Sequence, residues 1–191
     1  MDLRTLTYER DGRVARITLN RPERGNGITL RMPRELAHCV ERADLDPEVH
    51  VIALSGKGKG FCGGYDLVAS AEGKWDDEDP APEGAPTDPA TVAKNHDPRG
   101  TWEPTVDYAM MRRNVDGFMS LFRADKPVVC KVHGFCVAGG TDMALCSDLL
   151  VIEDRRSATH RPGSGGCRPP CSGLTGSGPS APSAFSSPAI A

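Results

Sequence analysis

The sequence predicts an α/β protein in which short buried strands alternate with helices. Three apolar runs, at residues 50–55, 128–133 and 149–153, have the length of strands and are too short for buried helices. Stretches with helical spacing of apolar residues neighbour these runs, so strand and helix should alternate along the chain. Continuous apolar runs of this kind are typical of parallel strands that are covered on both faces.

The chain should begin with an antiparallel pair of strands. Residues 5–9 and 13–19 are rich in β-forming side chains, and Arg10, Asp11 and Gly12 separate them. An Asp-Gly pair between two such runs is a signal for a tight hairpin turn.

A helix is expected over residues 29–43, because apolar side chains recur there every four positions. The face that covers the sheet should consist of Met32, Leu36 and Val40. The charged residues that should point elsewhere are Arg31, Arg34 and Glu35.

A later helical stretch should end at Lys126 and Pro127, since proline does not continue a helix. Its apolar stripe should pack in the core. The stripe consists of Met111, Val115, Phe118, Met119 and Phe122.

Residues 69–105 form an acidic insertion rich in proline and glycine within a core that spans residues 1–154. Such a composition offers little that packs, so we expect a solvated surface loop, with a structured lid as the alternative. Residues 155–191 contain no Asp, Glu or Lys and are more than half Gly, Pro and Ser. This low-complexity tail should be disordered.

The overall composition excludes several classes of partner. A formal net charge of −3 over 191 residues, without basic clusters, argues against nucleic acid. A run of about 18 apolar residues, which a membrane span needs, is absent, and so is a basic start followed by an apolar segment. We therefore expect a cytoplasmic protein.

The seven cysteines point to reduced thiols, because their number is odd and five of them lie in apolar or glycine-rich surroundings. These five are Cys39, Cys62, Cys130, Cys136 and Cys146. His160, Cys167 and Cys171 have a faint similarity to zinc ligands, but a fourth ligand at a usual spacing is missing. No metal is expected.

Two glycine-bearing segments are the most informative part of the chain. Residues 59–67 (KGFCGGYDL) force a tight turn, and residues 134–142 (GFCVAGGTD) follow a strand and open a helix. Both can direct peptide N–H groups at a ligand, and two converging N–H groups form an oxyanion hole.

These segments, together with the sequence L-N-R-P-E at residues 19–23, resemble the motifs of the crotonase (enoyl-CoA hydratase/isomerase) superfamily. The three motifs occur in the family's order, and the similarity extends from about residue 6 to residue 153. The resemblance implies a crotonase-like fold built as a spiral of ββα units. Either glycine segment alone would be more typical of an ordinary loop, but their agreement favours function.

The resemblance implies that the N–H groups of Tyr65 and Gly139 hold the carbonyl oxygen of an acyl-CoA thioester. Asp142 stands where hydratases carry one of two catalytic Glu residues, and it shares a helical face with Gly139. The second Glu has no counterpart, so an isomerase reaction with one base competes almost equally with hydration. The alternative for Asp142 is a helix cap or an ion pair.

The resemblance also implies a binding region for coenzyme A, which enters as part of the substrate and not as a cofactor. Gly63 and Gly64 should allow the turn and the close approach of the thioester. Four cationic side chains lie in loops that are near the CoA nucleotide in relatives. For these side chains, contact with the phosphates and simple solvation at the surface are equally expected. They are Arg21, Arg24, Lys57 and Lys59. Asp66 should hold the turn.

The family's C-terminal part is expected to be missing after Asp154. One hypothesis is a shifted reading frame, because back-translated residues 157–170 can encode a peptide with the family's spacing of Gly and Pro. An inactive remnant that retains CoA binding or subunit association is therefore the alternative function. The family's homo-trimer or hexamer is doubtful for such a chain. A serine hydrolase of the related Clp-protease fold is disfavoured, because the nucleophile position carries no Ser.

Overall fold

A computed structural model of the chain describes residues 1–67, 85 and 88–153. Its strands are β1 (Leu6–Asp11), β2 (Val14–Leu19), β3 (Val51–Gly56), β4 (Val128–Val132) and β5 (Leu149–Ile152). Its helices are α1 (Met32–Leu45), α2 (Pro89–Asn95), α3 (Pro104–Phe122) and α4 (Gly139–Leu145), and a short 3-10 turn spans Pro22–Arg24. The predicted α/β class is confirmed.

The five strands form one sheet in the order β1-β2-β3-β4-β5. β1 and β2 pair antiparallel around a turn in which Gly12 has a φ of 57°, as the Asp-Gly signal predicts. The other neighbouring strands pair in parallel. The connections between the parallel strands therefore contain helices. The C-terminal ends of β3 and β4 lie at the same edge of the sheet.

One face of the sheet forms the core, and the other stays largely open. The buried side chains include Ile17, Leu54 and Cys130, which alternate with partly or fully exposed residues along their strands. The expectation that the apolar strands are covered on both faces is therefore wrong for β3 and β4. It fails for β5 as well, since all four of its side chains are exposed.

Helix α1 buries Met32, Leu36 and Val40, as the spacing predicts. The prediction that the charged residues turn away holds for Arg34 only, because Arg31 and Glu35 are buried as well. The Glu35 carboxylate accepts hydrogen bonds from the N–H and hydroxyl of Thr5 and forms an ion pair with Arg31. This polar cluster joins the start of α1 to the start of β1.

Helix α3 packs with a different face from the one that the apolar stripe predicts. The buried residues are Asn114, Gly117, Phe118 and Leu121, whereas Met111, Val115 and Phe122 are exposed. The reason is close contact with α1, because a Cβ at Gly117 would lie 2.5 Å from Cβ of Pro33. A helix can approach this closely only where a side chain is missing.

The predicted acidic insertion is not irregular throughout. Within its described part, α2 begins after Asp88, whose carboxylate accepts hydrogen bonds from the N–H and hydroxyl of Thr91 at 3.2 and 2.8 Å. Val92 on this helix is fully buried. The remainder of the insertion, the predicted tail and the metal-like residues His160, Cys167 and Cys171 lie outside the described residues.

Candidate active site

The two glycine-bearing segments lie side by side, as their proposed shared role requires. Cys62 and Cys136 pair as an isolated parallel bridge. The N–H of Val137 donates to the carbonyl of Cys62 at 3.0 Å, and the N–H of Cys62 donates to the carbonyl of Phe135 at 3.2 Å. Because the segments follow neighbouring parallel strands β3 and β4, the sheet itself brings them together.

Tyr65 and Gly139 are in direct contact. A Cβ added to Gly139 would lie 2.9 Å from Cε2 of the Tyr65 ring and 2.8 Å from Cδ1 of Ile28. Within the described part of the chain, neither the N–H of Tyr65 nor that of Gly139 has a hydrogen-bond acceptor. Neighbouring N–H groups without acceptors are available to an oxygen atom of a ligand.

The backbone on both sides of this contact adopts conformations that side chains rarely allow. Gly64 has a φ of 91°, so the glycine is needed for the turn before Tyr65. Ala138 has a φ of 48° and a ψ of −124° immediately before Gly139. A non-glycine residue in such a conformation stores strain of roughly 1–3 kcal/mol, which is characteristic of functional sites.

Asp142 lies on the first turn of α4, three residues after Gly139, as the helical spacing predicts. Its side chain makes no cap and no ion pair with any described residue, and it is exposed. The backbone N–H of Asp142 instead donates to the carbonyl of Ala138. The carboxylate is therefore free to act on a ligand, which favours the catalytic interpretation over a structural one.

The Tyr65 hydroxyl is shielded from solvent and makes no hydrogen bond of acceptable geometry within the described residues. Its burial raises the pKa of Tyr65, and the negative charge of Asp142 acts in the same direction. The nearby amide of Asn114 partly opposes this shift. Tyr65 therefore carries a neutral hydroxyl at neutral pH.

Asp66 holds the turn, as the sequence predicts, by binding two of the four cations expected near coenzyme A. Its carboxylate accepts from Nη2 of Arg21 at 2.9 Å and from Nη2 of Arg24 at 3.0 Å. The side chain of Asp66 is only 6% exposed, and that of Arg21 is 15% exposed. Arg21 therefore has a structural role, whereas Arg24 at 36% keeps part of its guanidinium accessible.

Comparison with known proteins assigns the chain to a family. A model of the enoyl-CoA hydratase/isomerase family matches residues 14–160. The chain belongs to the enoyl-CoA hydratase/isomerase family. A probable enoyl-CoA hydratase of Mycobacterium tuberculosis is 30% identical over 141 residues, which are 74% of this chain and 44% of the relative. The 1,2-epoxyphenylacetyl-CoA isomerase of Escherichia coli is 30% identical over 143 residues, which are 72% of this chain and 43% of the relative.

Solved structures of enoyl-CoA hydratases share the fold. An enoyl-CoA hydratase from Mycobacterium smegmatis has a TM-score of 0.68 and 52% identity, and the match covers 79% of this chain and 47% of that one. An enoyl-CoA hydratase/isomerase from Xanthobacter autotrophicus has a TM-score of 0.61 and 28% identity, with 79% and 46% covered. The expected crotonase-like fold is confirmed. The chain spans less than half the length of these relatives.

Lys57 and Lys59, the other two cations expected near coenzyme A in this family member, are exposed. Their ammonium groups form no ion pair with a described residue. They flank Gly58 just before the first glycine turn, and Gly63 in that turn is exposed as well. Exposed, unpaired ammonium groups beside the site are suited to phosphate groups, which bind lysine as a point charge.

Asn26 supports the site, although the sequence analysis did not identify it. This residue is fully buried and has a φ of 54°. Its amide donates to the carbonyls of Lys57, Gly60 and Phe61 at 2.9, 3.1 and 2.9 Å, and its carbonyl oxygen accepts from the N–H of Arg21. The available signal was an Asn between two glycines, a residue type that tolerates positive φ.

None of the five described cysteines forms a disulfide bond. Cys39, Cys62 and Cys130 are buried, as expected, and Cys136 and Cys146 are partly buried. Burial raises the pKa of Cys62 to about 11, so this thiol remains protonated beside the glycine turn.

Two further findings concern metals and membranes. Across residues 1–67 and 88–153, no set of three His, Cys, Asp or Glu side chains is placed to bind a metal ion. None of the helices in the same part of the chain has the length and apolar character that crossing a membrane requires.

Proposed function

We propose that this chain acts on acyl-CoA thioesters as an enoyl-CoA hydratase/isomerase, with the N–H groups of Tyr65 and Gly139 as an oxyanion hole. One observation carries the proposal. The two residues that the family motifs single out are in contact, and their N–H groups have no acceptor among the described residues. Family membership supports a thioester as the substrate class.

The chemistry requires negative charge to develop on the thioester oxygen when a proton leaves the α carbon. Two N–H groups held in place stabilise this charge, each by about 3 kcal/mol in the transition state. They need no reorganisation, because the contact between Tyr65 and Gly139 and the hydrogen bonds of the two turns hold the backbone. No metal or redox cofactor takes part in this proposal.

Asp142 is the proposed base. Its carboxylate has no partner among the described residues and lies one helical turn after the Gly139 donor, so it is available to the acyl chain. One base suffices to move a proton between the α and γ carbons of an enoyl group. Hydration with paired carboxylates needs a second acid, so the isomerase reaction is the simpler match to these residues.

The proposed contacts of the CoA phosphates are Lys57, Lys59 and the accessible part of Arg24. Arg21 joins them only through the shared Asp66 carboxylate, which fixes both guanidinium groups. Gly63 and Gly64 are proposed to let the thioester approach the turn. These contacts steer a highly charged ligand toward the site.

A second candidate function is binding of CoA thioesters without turnover. It is favoured by the exposure of Asp142, since a catalytic site for carbanion chemistry has to exclude water. Under this alternative the two N–H groups and the lysines hold the ligand, while the carboxylate stays solvated.

The experiment that separates these functions offers crotonyl-CoA and a 3-enoyl-CoA to the purified chain. The ultraviolet absorbance of the conjugated double bond reports hydration as a loss and isomerisation as a gain. We expect Asp142→Asn to lower kcat by about 10²–10⁴. The matched control, Asp116→Asn on the exposed side of α3, should keep full activity.

Turnover that survives Asp142→Asn would contradict the assignment of the base. Binding of crotonyl-CoA in calorimetry without turnover would establish the second candidate. A lack of both binding and turnover would overturn the proposal as a whole.

The wider setting is proposed with the activity. Fatty-acid metabolism is the proposed process, because enoyl-CoA thioesters are its intermediates, and a cytoplasmic location accords with the free thiols. The trimer or hexamer that the family resemblance implies is a separate expectation. Sedimentation velocity would measure the oligomeric state of the chain directly.

A further inference from the structure

Phe135 belongs to the second glycine segment, and its ring packs on the loop of Gly25 and on the first glycine segment. A Cβ added to Gly60 would lie 2.5 Å from Cδ1 of the ring. A Cβ added to Gly25 would lie 3.4 Å from Cζ, and one added to Gly63 would lie 3.7 Å from Cε2. The ring therefore fills the space between the two loops, and at Gly60 it leaves no room for a side chain.

The loop that carries Lys59 is held in place by the chain around Phe135. Nε2 of His133 lies 3.0 Å from the carbonyl oxygen of Gly58. Gly134 has a φ of 61° and lies so close to the carbonyl oxygen of Lys59 that a Cβ would overlap it. The ring of Phe135 covers the residue that follows Lys59. The backbone of Lys59 is therefore fixed on both flanks, although its side chain is exposed.

The other loop that the ring contacts carries Arg24. This residue directly precedes Gly25, and its Nη2 donates to the Asp66 carboxylate at 3.0 Å. Its side chain is 36% exposed, so part of the guanidinium is open to a ligand. Arg24 and Lys59 are both proposed contacts of the CoA phosphates, and each is the immediate neighbour of a glycine in contact with the Phe135 ring.

Burial of apolar area does not by itself account for this ring. Phe135 is 38% exposed, whereas Phe61 and Phe118 in the core are 0% and 1% exposed. A ring that stays partly in water gains less from the hydrophobic effect than a buried one. A rigid ring between two loops does fix their separation, and groups held in place before binding lose less conformational freedom when a ligand arrives.

We propose that Phe135 is a positioning residue whose ring sets the distance between the loops of Arg24 and Lys59 and thereby prepares both cations for the phosphates of coenzyme A. The inference rests on the proposed function, which assigns the CoA phosphates to these cations. The pantetheine part of coenzyme A, which bears the thioester, carries no phosphate. Phe135 should therefore affect the affinity for the nucleotide part and leave the affinity for the pantetheine part unchanged.

The first test compares coenzyme A with pantetheine in calorimetry on the full chain. Phe135→Leu removes the ring and keeps an apolar side chain. We expect it to raise the Kd of coenzyme A about tenfold and to leave the Kd of pantetheine unchanged. The salt dependence of the affinity for coenzyme A should weaken as well, because the cations no longer act together. A purely structural role would change both affinities alike.

A second variant disturbs the same contact from the other side. Gly60→Ala adds a Cβ that would lie 2.5 Å from the ring, so the ring has to move. It should raise the Kd of coenzyme A by a similar factor. In combination with Phe135→Leu, which makes room for the methyl group, the rise should be smaller than the product of the two single effects. The matched control, Phe122→Leu, removes a 69% exposed ring on α3 and should change neither Kd.

Turnover adds a readout for the same residue. In Phe135→Leu, KM for crotonyl-CoA should rise about tenfold at constant kcat, and kcat/KM for crotonyl-pantetheine should keep its original value. An unchanged Kd of coenzyme A in Phe135→Leu would overturn the positioning role alone, as would an equal loss of affinity for pantetheine. Binding of coenzyme A that depends on Phe135 in a chain without turnover would support the positioning role while the proposed reaction fails. A chain that binds no coenzyme A would overturn both.

Discussion

The ring of Tyr65 lies against the backbone of Gly139, so the two glycine-bearing segments meet at the residues whose N–H groups lack acceptors among the described residues. This contact joins a turn after β3 to the first residue of α4. It explains why position 139 has no side chain. An added methyl group would displace either the ring or Ile28, and both are packed.

Gly139→Ala should therefore reduce activity more than stability. The new Cβ would come within 2.8 Å of Ile28 and 2.9 Å of Tyr65, and the resulting shift would misalign both N–H donors. We expect kcat to fall by about 10², with a loss of about 1–3 kcal/mol in the free energy of unfolding. Steady-state kinetics and urea unfolding measure the two effects.

Gly100→Ala is the control for that substitution, since a Cβ there would meet its nearest neighbour at an ordinary 3.4 Å. It should leave kcat unchanged. Equal activity of Gly139→Ala and Gly100→Ala would contradict the importance of the contact.

Glu35→Gln should destabilise the chain strongly, because the buried carboxylate binds Arg31 and the start of β1 at once. Removing its charge takes away the ion pair that Glu35 forms with the buried guanidinium of Arg31. We expect a loss of about 3–5 kcal/mol in the free energy of unfolding, measured with urea. Glu41→Gln, on the exposed side of the same helix, should change it by less than about 0.5 kcal/mol. Similar values for both variants would show that the buried pair contributes little.

The same carboxylate makes stability depend on pH. Burial by itself would raise the pKa of Glu35, but hydrogen bonds from Thr5, Arg4 and Arg31 hold that pKa below its ordinary value. A lowered folded-state pKa contributes stability at neutral pH, and this contribution is lost as pH falls through the folded pKa. The urea midpoint should therefore drop as pH falls below about 4.3, the ordinary pKa of a glutamate. The drop should be smaller in Glu35→Gln, and an equal drop in both proteins would contradict this assignment.

Asn26 offers a way to separate hydrogen bonding from backbone strain. Asn26→Gly keeps the φ of 54° without penalty but leaves the carbonyls of Lys57, Gly60 and Phe61 without their donor. We expect a loss of about 2–4 kcal/mol in the free energy of unfolding. Asn26→Ala should lose about 1 kcal/mol more, because alanine resists positive φ. Equal values for the two variants in urea unfolding would show that the strain is unimportant.

The lysines before the first turn should act on binding and not on chemistry. Replacing Lys57 and Lys59 together by Gln should raise KM for the acyl-CoA substrate about tenfold while kcat stays constant. The salt dependence of kcat/KM should also weaken, because a charged contact is lost. The control with the same change of charge replaces Lys94 and Lys131, which lie on α2 and β4, by Gln. An equal rise of KM in both variants would indicate a general effect of charge.

Local patterns in the sequence were enough for the strands, the hairpin turn at Gly12 and the start of α4 at Gly139. These features depend on residues within a few positions of each other. The adjacency of the two glycine segments depends instead on the pairing of β3 with β4, which are far apart in sequence. Only the structure showed that the Asp142 side chain makes no cap and no ion pair with a described residue, because the helical spacing is compatible with either.

Contacts between distant parts of the chain decided the rest. The periodicity of α3 indicated Met111 and Val115 as core residues, but Gly117 packs on Pro33 and rotates the buried face toward Asn114. The helical pattern predicts that Glu35 lies on the surface. It is buried because Thr5, just before β1 and 30 positions away, donates hydrogen bonds to its carboxylate. Periodicity reports the local preference for a helix or strand. Which polar groups are buried depends on partners that only the folded chain brings within reach.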